Sequence, residues 1–206
     1  MEMFIADTHF GHKNILEECR PQFKSVDEMN SVIIENINRK MKKNDILYIV
    51  GDFAFRSKQS PIEYLEAITT KKILIIGNHD RDWLKHFSEE EIKQHFLGVY
   101  QQYSIKKNGI ELHFNHFPQL AWNRSHYFAQ SFSICGHIHN ARSSSVAAQL
   151  FPQVKCQLNA GVDINCFEPV TFEELIANNM IFYDCHYNEE EQSLLAQAIE
   201  KIMSQG

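Results

Sequence analysis

The sequence is short of several things, and each shortage narrows the reading. Its longest purely apolar stretch, residues 46–50, falls far below the ~20 residues that a membrane-spanning helix needs, so a soluble protein with no membrane partner is expected. The amino terminus has neither a basic start nor an extended apolar segment, so no secretory signal is read and a cytoplasmic location is the default expectation. The five cysteines, Cys19, Cys135, Cys156, Cys166 and Cys185, are odd in number and include no Cys-x-x-Cys pair. That fits neither a disulfide framework nor a thiolate zinc site. Glycine (8) and proline (5) are sparse and nowhere concentrated. With no linker to divide it, the chain reads as one domain over 1–206, residues 189–206 forming a loosely attached helical appendage. Basic charge is also in deficit, with 20 Lys+Arg against 26 Asp+Glu for a formal charge of -6. A broad face for coating polyanions is thereby excluded, while a local basic groove for nucleic acid stays open.

What is present is a hydrophobic content of 44%, enough for a substantial core, and apolar β-type runs separated by helical patterns. Strands are expected at 3–6, 46–50, 73–76, 100–107, 110–115, 132–135, 157–160 and 180–184, with Asn108-Gly109 as a type I′ hairpin turn. Three capping boxes mark helix starts: Ser25 with Glu28, Ser60 with Glu63, and Thr171 with Glu174. After Ser25, residues Val26, Met29, Ile33, Ile37 and Met41 recur at helical spacing, so that helix should lay one face on a sheet.

The chemistry lies just beyond the strands. Asp7-Thr8-His9, Gly51-Asp52, Gly77-Asn78-His79-Asp80, Asn115-His116 and Gly136-His137-Ile138-His139 each come directly after an apolar run. Ligands of open α/β sheets bind beyond the carboxyl ends of strands, so these five groups should converge. Asp7, His9, Asp52, Asn78, His116, His137 and His139 offer only oxygen and imidazole nitrogen, a donor set suited to borderline metal ions. Seven donors exceed the needs of one tetrahedral ion and fit two ions sharing a carboxylate, ~3.5 to 4 Å apart. Each pair spaced i, i+2 can reach one pocket from an extended segment.

Asp-x-His, Gly-Asp, Gly-Asn-His-Asp, His and Gly-His-x-His, in that order, resemble the calcineurin-like metallophosphoesterase superfamily, and look most like its compact bacterial and phage members. The resemblance implies an α/β fold in which a β-sheet sandwich is flanked by helices, with a dinuclear metal site at the carboxyl ends of the strands. It implies Asp7, His9, Asp52 and His139 around one metal and Asp52, Asn78, His116 and His137 around the other, with Asp52 as the bridge. It also implies His79 facing the substrate, Asp80 orienting or charge-tuning His79, and Arg56 binding phosphate, although the residues around Arg56 differ from those of the Ser/Thr phosphatases. The implied cofactors are two divalent or mixed-valence ions, most readily Mn or Fe, with Zn, Ni or Co as alternatives. The implied activity is hydrolysis of a phosphodiester or phosphomonoester of a small or nucleotide-like substrate by a metal-bridging hydroxide. A nuclease and a non-catalytic binding module that keeps the fold are the alternatives. His12 could reach substrate, Arg20 closes the first short helix, and Trp122, Asn123 and Arg124 could reach the pocket rim.

Overall fold

The computed structural model describes residues 1–141 and 145–204, so the last two residues of the expected tail lie outside the described residues. Four parallel strands form a first sheet, in the order β1 (Glu2–Ile5), β2 (Ile46–Val50), β3 (Lys71–Ile75) and β4 (Gly98–Tyr100). Parallel neighbours require crossovers, which the intervening chain makes with helices. These are α1 (Ile15–Glu18) and α2 (Val26–Lys40) before β2, α3 (Pro61–Ala67) before β3, and α4 (Asp80–Leu84) and α5 (Glu89–His95) before β4. A second, mixed sheet pairs β5 (Tyr103–Lys107) antiparallel to β6 (Ile110–Phe114), followed by parallel neighbours β7 (Ser131–Cys135) and β8 (Gln157–Asn159). Helix α6 (Val146–Leu150) precedes β8, and α7 (Phe172–Tyr183) and α8 (Glu189–Met203) come after it.

Side-chain alternation explains why the first sheet is dry on both faces. Phe4, Tyr48, Val50, Ile73 and Ile75 share one buried cluster with Leu112, Phe114, Phe132 and Ile134 of the second sheet. Across that gap Tyr48 stacks on Phe114 at 4.9 Å between ring centroids. The alternate residues Met3, Ile5, Leu47, Ile49 and Leu74 pack with Met29, Ile33 and Ile37 of α2. The two sheets are also joined through the backbone beyond β1, where the Ala6 amide donates to the Ala160 carbonyl (2.8 Å) and the Val162 amide to that of Ala6 (3.1 Å). Asp7 therefore leaves β1 at the seam of the sandwich.

Four sequence expectations change. The strand expected at 100–107 is two strands in different sheets, with Gln101 and Gln102 as the crossing point. The Asn108-Gly109 turn, with φ of 47° and 86°, ties the second piece to β6, while β4 pairs with β3. The strand expected at 180–184 is the last turn of α7. The Thr171/Glu174 box starts that helix, and continuing it leaves Ile181 80% exposed. Ser25 forms half a box, because its hydroxyl accepts from the Glu28 amide while the Glu28 carboxylate accepts from Lys24 instead. Two further boxes, Ser88/Glu91 and Asn188/Glu191, start α5 and α8. Finally, α8 is no loose appendage: Leu195, Ala198 and Ile202, spaced along one face, are buried in the inter-sheet core.

Candidate metal centre

The five punctuated strand ends meet at one end of the sandwich, and the backbone bends sharply to make them do so. Asp7, His9, Asp52, His137 and His139 all have positive φ, between 48° and 71°. Non-glycine residues in this region cost about 1 kcal/mol or more each and gather at functional sites. Close approach also dictates glycine. A Cβ on Gly51, itself at φ 85°, would come within 2.2 Å of the His116 ring, and one on Gly136 within 2.6 Å of the Asp7 carboxylate.

Two clusters of donor atoms result, each with all members within 4.8 Å of one another: Asp7, His9 and His139, and Asp52, His116 and His137. Asp52 also joins His9 and His79 in a third such group, so it links the two. A single carboxylate oxygen of Asp52, Oδ2, faces Nε2 of His116 at 3.3 Å, of His9 at 3.6 Å and of His79 at 3.9 Å. Its other oxygen accepts the His79 amide at 2.9 Å. Asn78 Oδ1 lies 3.1 Å from both His116 Nε2 and His137 Nδ1, placing the amide oxygen in the second cluster. All seven expected donors are thus brought together.

The donors fit metal ions on chemical grounds. Both ring nitrogens of His9 are buried without a hydrogen-bond partner among the described residues. A buried imidazole left this way costs free energy unless something else occupies its lone pair. Burial, helped by the nearby His139 and Arg20 charges, also drives its pKa well below the ordinary value, so the ring is neutral, as a ligand must be. His116 donates from Nδ1 to the Val50 carbonyl (2.9 Å), leaving Nε2 to face Asp52. His139 uses Nδ1 on Asp163 (2.8 Å), leaving Nε2 for the centre. Such outer bonds set the tautomer and aim of metal-binding histidines.

Without metal, the carboxylates raise the proton affinity of two of the histidines, while His9 and His137 are pushed down by burial. Burial lowers the affinity of His116 and His139 for a proton, but hydrogen bonding to Asp52 and the Asp7 charge carry His116 up to about 9. The Asp7 charge and Asp163 raise His139 to about 11. Burial raises the Asp7 carboxyl, and it also pushes Asp52 up, where the His116 contact outweighs it and holds Asp52 below its ordinary value. Metal binding would displace the imidazole protons.

Some expected roles change. Asp80 does not orient the His79 ring. Its carboxylate, fully buried, accepts from the amides of Asp52, Phe53 and Gly77 (2.8 Å each) and from Trp83 Nε1 (3.0 Å), so it clamps the β2 and β3 ends together. The His79 ring instead lies 3.8 Å, centroid to centroid, from Phe55, over which the Arg56 guanidinium sits at 4.9 Å. Arg56 and His79 line one cleft. His12 is buried beside them, its ring 5.5 Å from that of His9 and 4.9 Å from Phe55. Trp122, Asn123 and Arg124 are not on the rim. Trp122 packs against the inter-sheet core and bonds Ser131, while Asn123 and Arg124 bond Glu111 at the opposite end of β6 from His116.

Asp163 escaped the sequence reading, and Arg20 was read there only as closing the first short helix. Asp163 anchors His139, and Arg20, wholly buried, lies beneath the centre. Its guanidinium meets Asp163 twice (2.7 and 3.0 Å) and donates to the carbonyls of Thr8 (2.9 Å) and Asp7. Burial pushes Asp163 up, but His139 and Arg20 outweigh it and hold the carboxyl at about 2. Asp163 carried a signal, since Gly161-Val162-Asp163 comes after the strand at 157–160 as the other blocks come after theirs. Arg20 carried none, because nothing in a single arginine announces burial.

Comparison with known families matches residues 3–153 to calcineurin-like phosphoesterases. The chain belongs to the calcineurin-like phosphoesterase family. That family implies divalent metal ions and hydrolysis of phosphoester bonds, and the two donor clusters supply places for the ions. Among similar proteins, the uncharacterized protein MJ1445 of Methanocaldococcus jannaschii is 28% identical over 174 residues, 84% of this chain and 87% of that one. The gene 66 protein of Mycobacterium phage L5 is 32% identical over 80 residues, 37% of this chain and 38% of that one. The crystal structure of AQ665 from Aquifex aeolicus, a protein of unknown function, superposes with a TM-score of 0.62 at 28% identity, covering 86% of this chain and 98% of that one. Among the described residues no helix is long and apolar enough to cross a membrane.

Proposed function

We propose that this chain hydrolyses a phosphoester of a small or nucleotide-like substrate at a dinuclear centre. In this reading Asp7, His9, Asp52 and His139 hold one ion, and Asp52, Asn78, His116 and His137 the other. The observation that carries the reading is the Asp52 carboxylate, one oxygen of which faces imidazoles of both clusters, beside a His9 ring with two unpartnered nitrogens. Nitrogen-rich but not sulfur-containing, the donor set suits Mn or Fe, with Zn, Ni or Co as further occupants. Bound there, two such ions supply a nucleophilic water at neutral pH and positive charge for the phosphoryl oxygens.

The chain's own residues would do the rest. A water oxygen forms the new bond to phosphorus, the ester P–O bond breaks with its electrons on the leaving oxygen, and the proton lost by the water passes to solvent. His79, half-buried at the edge of the centre with Nε2 directed toward Asp52, is placed to give its proton to the leaving oxygen. Arg56 shares the cleft of His79 and can offset negative charge gathering on the phosphoryl group. Asp80 acts by holding the backbone that carries Asp52 and His79 in register.

The test is turnover of aryl phosphate monoester and diester by metal-loaded protein, with metal content measured alongside. His79→Ala should slow hydrolysis of substrates with poor leaving groups while both ions stay bound, and Asp52→Asn should lose metal and activity together. Hydrolysis of neither ester by protein carrying two ions would overturn the reading and favour a binding module that keeps the fold.

A further inference from the structure

Among the described residues two clefts flank the centre, and consecutive residues of the Gly-Asn-His-Asp block divide them. His79 lines a cleft of about 280 Å³ with Phe55 and Arg56. Asn78 lines a separate one of about 800 Å³ with Arg81, Gln101, Gln102, Asn115 and Phe117. Each arm repeats the same three elements: a residue of the centre, an arginine and an aromatic ring. Neither Arg56 nor Arg81 has a carboxylate within 4 Å among the described residues, and Arg81 donates only to Gln101 Oε1, at 3.1 Å. Phe55 lies against His79, and Phe117, 46% exposed, sets its ring 4.7 Å from that of His137 and 5.1 Å from that of His116.

The larger cleft is chemically distinctive for a chain of charge -6, because no acidic residue lines it. Four carboxamides, one guanidinium without a carboxylate partner and two exposed aromatic rings, Phe117 and Tyr100, are among the groups that line it instead. Carboxamides offer donors and acceptors to base edges, an aromatic ring offers a stacking platform, and arginine offers a planar fork to phosphate. A phosphomonoester would fill one arm and leave the other empty. A diester, whose phosphorus carries a group on each side, has an arm for each.

We propose that the cleft of Arg81 and Phe117 binds the nucleoside on one side of the scissile phosphorus, so that the substrate class is a nucleotidyl phosphodiester: a dinucleotide or a short single strand laid across the centre. This rests on the phosphoesterase reading and adds to it a substrate class and two specificity-determining residues. Phe117 stacks the base beyond the second cluster, and Arg81 meets the next phosphate. Arg81 sits on the surface and touches no ligand histidine, and Phe117→Leu keeps an apolar side chain against His116 and His137 while removing the stacking ring.

The experiment measures binding apart from turnover. A fluorescein-labelled, phosphorothioate-linked tetrathymidylate is titrated against Mn-loaded protein by anisotropy, and p-nitrophenyl phosphate turnover is followed separately. Arg81→Gln and Phe117→Leu should each weaken tetranucleotide binding, by about fivefold to a hundredfold for the stacking residue, with p-nitrophenyl phosphate turnover kept within about twofold. Tetranucleotide binding that is unchanged in both variants overturns the proposal, as does a parallel loss of monoester turnover, which would mean that the centre itself was disturbed. Parent protein that hydrolyses the monoester but does not bind the tetranucleotide also overturns it, and leaves the phosphoesterase reading standing. Variant-sensitive binding without hydrolysis of any ester supports the cleft as a nucleotide subsite but overturns the phosphoesterase reading and, with it, the substrate class.

Discussion

Replacing Arg20 with methionine keeps the apolar stem and deletes the charge beneath the metal centre. The guanidinium, 0% exposed, meets both oxygens of Asp163 and the backbone carbonyls of Asp7 and Thr8. Without it Asp163 stays buried with His139 as its main remaining partner, and two carbonyls lose their donors. Removing one member of a buried ion pair costs about 3–5 kcal/mol, and an orphaned buried carbonyl costs on the order of 1 kcal/mol or more. Because these groups share one network, the terms do not simply add, and the expected loss is about 4 kcal/mol. In a protein of this size that corresponds to a Tm lower by roughly 10 °C. Urea unfolding of metal-free parent and variant reads the loss directly. His139 loses the fixed position of its anchor, so Mn affinity should also fall, by about tenfold to a hundredfold in a binding isotherm. The double variant Arg20→Met/Asp163→Leu, with neither charge left buried, should recover part of the stability while metal affinity stays low. A loss below about 1 kcal/mol for Arg20→Met, or full additivity in the double variant, would refute the buried-network reasoning.

The same geometry sets three further outcomes. Stripping metal with a chelator should lower Tm by several degrees, since ligand at about 100 times its Kd adds about 2.7 kcal/mol. In His9→Ala the chelator should move Tm far less; an equal shift would show that His9 does not hold the ion. Asp80→Asn puts amide hydrogens against backbone N–H groups that now donate to a carboxylate, and should cost on the order of 2–4 kcal/mol in metal-free protein, whereas a purely catalytic Asp80 would leave chemical unfolding unchanged. Lys72 is buried, donates to the carbonyls of Ile68 and Thr70, and is pushed down by burial from 10.5 to about 8. Its ammonium therefore destabilises the fold below pH 8. The penalty is relieved as pH rises from about 8 to 10.5, where the folded chain has shed a proton that the unfolded chain retains. Each pH unit is worth about 1.4 kcal/mol before screening, so parent stability relative to Lys72→Met should rise by about 1–2 kcal/mol over that range, and a flat difference in urea unfolding would exclude it.

Much of the centre was legible because its chemistry and its position share one cause. A parallel strand buried on both faces is apolar over most of its length, so the first run of polar residues after it marks where the chain emerges. Asp7, Asp52, Asn78 and His137 were readable in this way. Elements with mixed signals were harder. Residues 180–183 suit a strand or a helix, and only the Thr171 cap and the core contacts of Leu175 and Ile176 select the helix. Residues 100–107 read as one strand, because a crossing between sheets leaves no mark on the alternation of a short run.

By itself, the sequence determined the donor set, its order along the chain and the family those donors imply, since ligand type and spacing are local properties. Only the tertiary structure decided what each polar group is spent on. It turned Asp80 from a partner of His79 into a clamp for four N–H groups, and placed Arg20 and Asp163 beneath the ligands. It also set Arg81 and Phe117 beside Asn78 in a cleft apart from that of His79. A hydrogen bond depends on direction and distance, and for these groups both exist only once the strands have paired and the two sheets have packed.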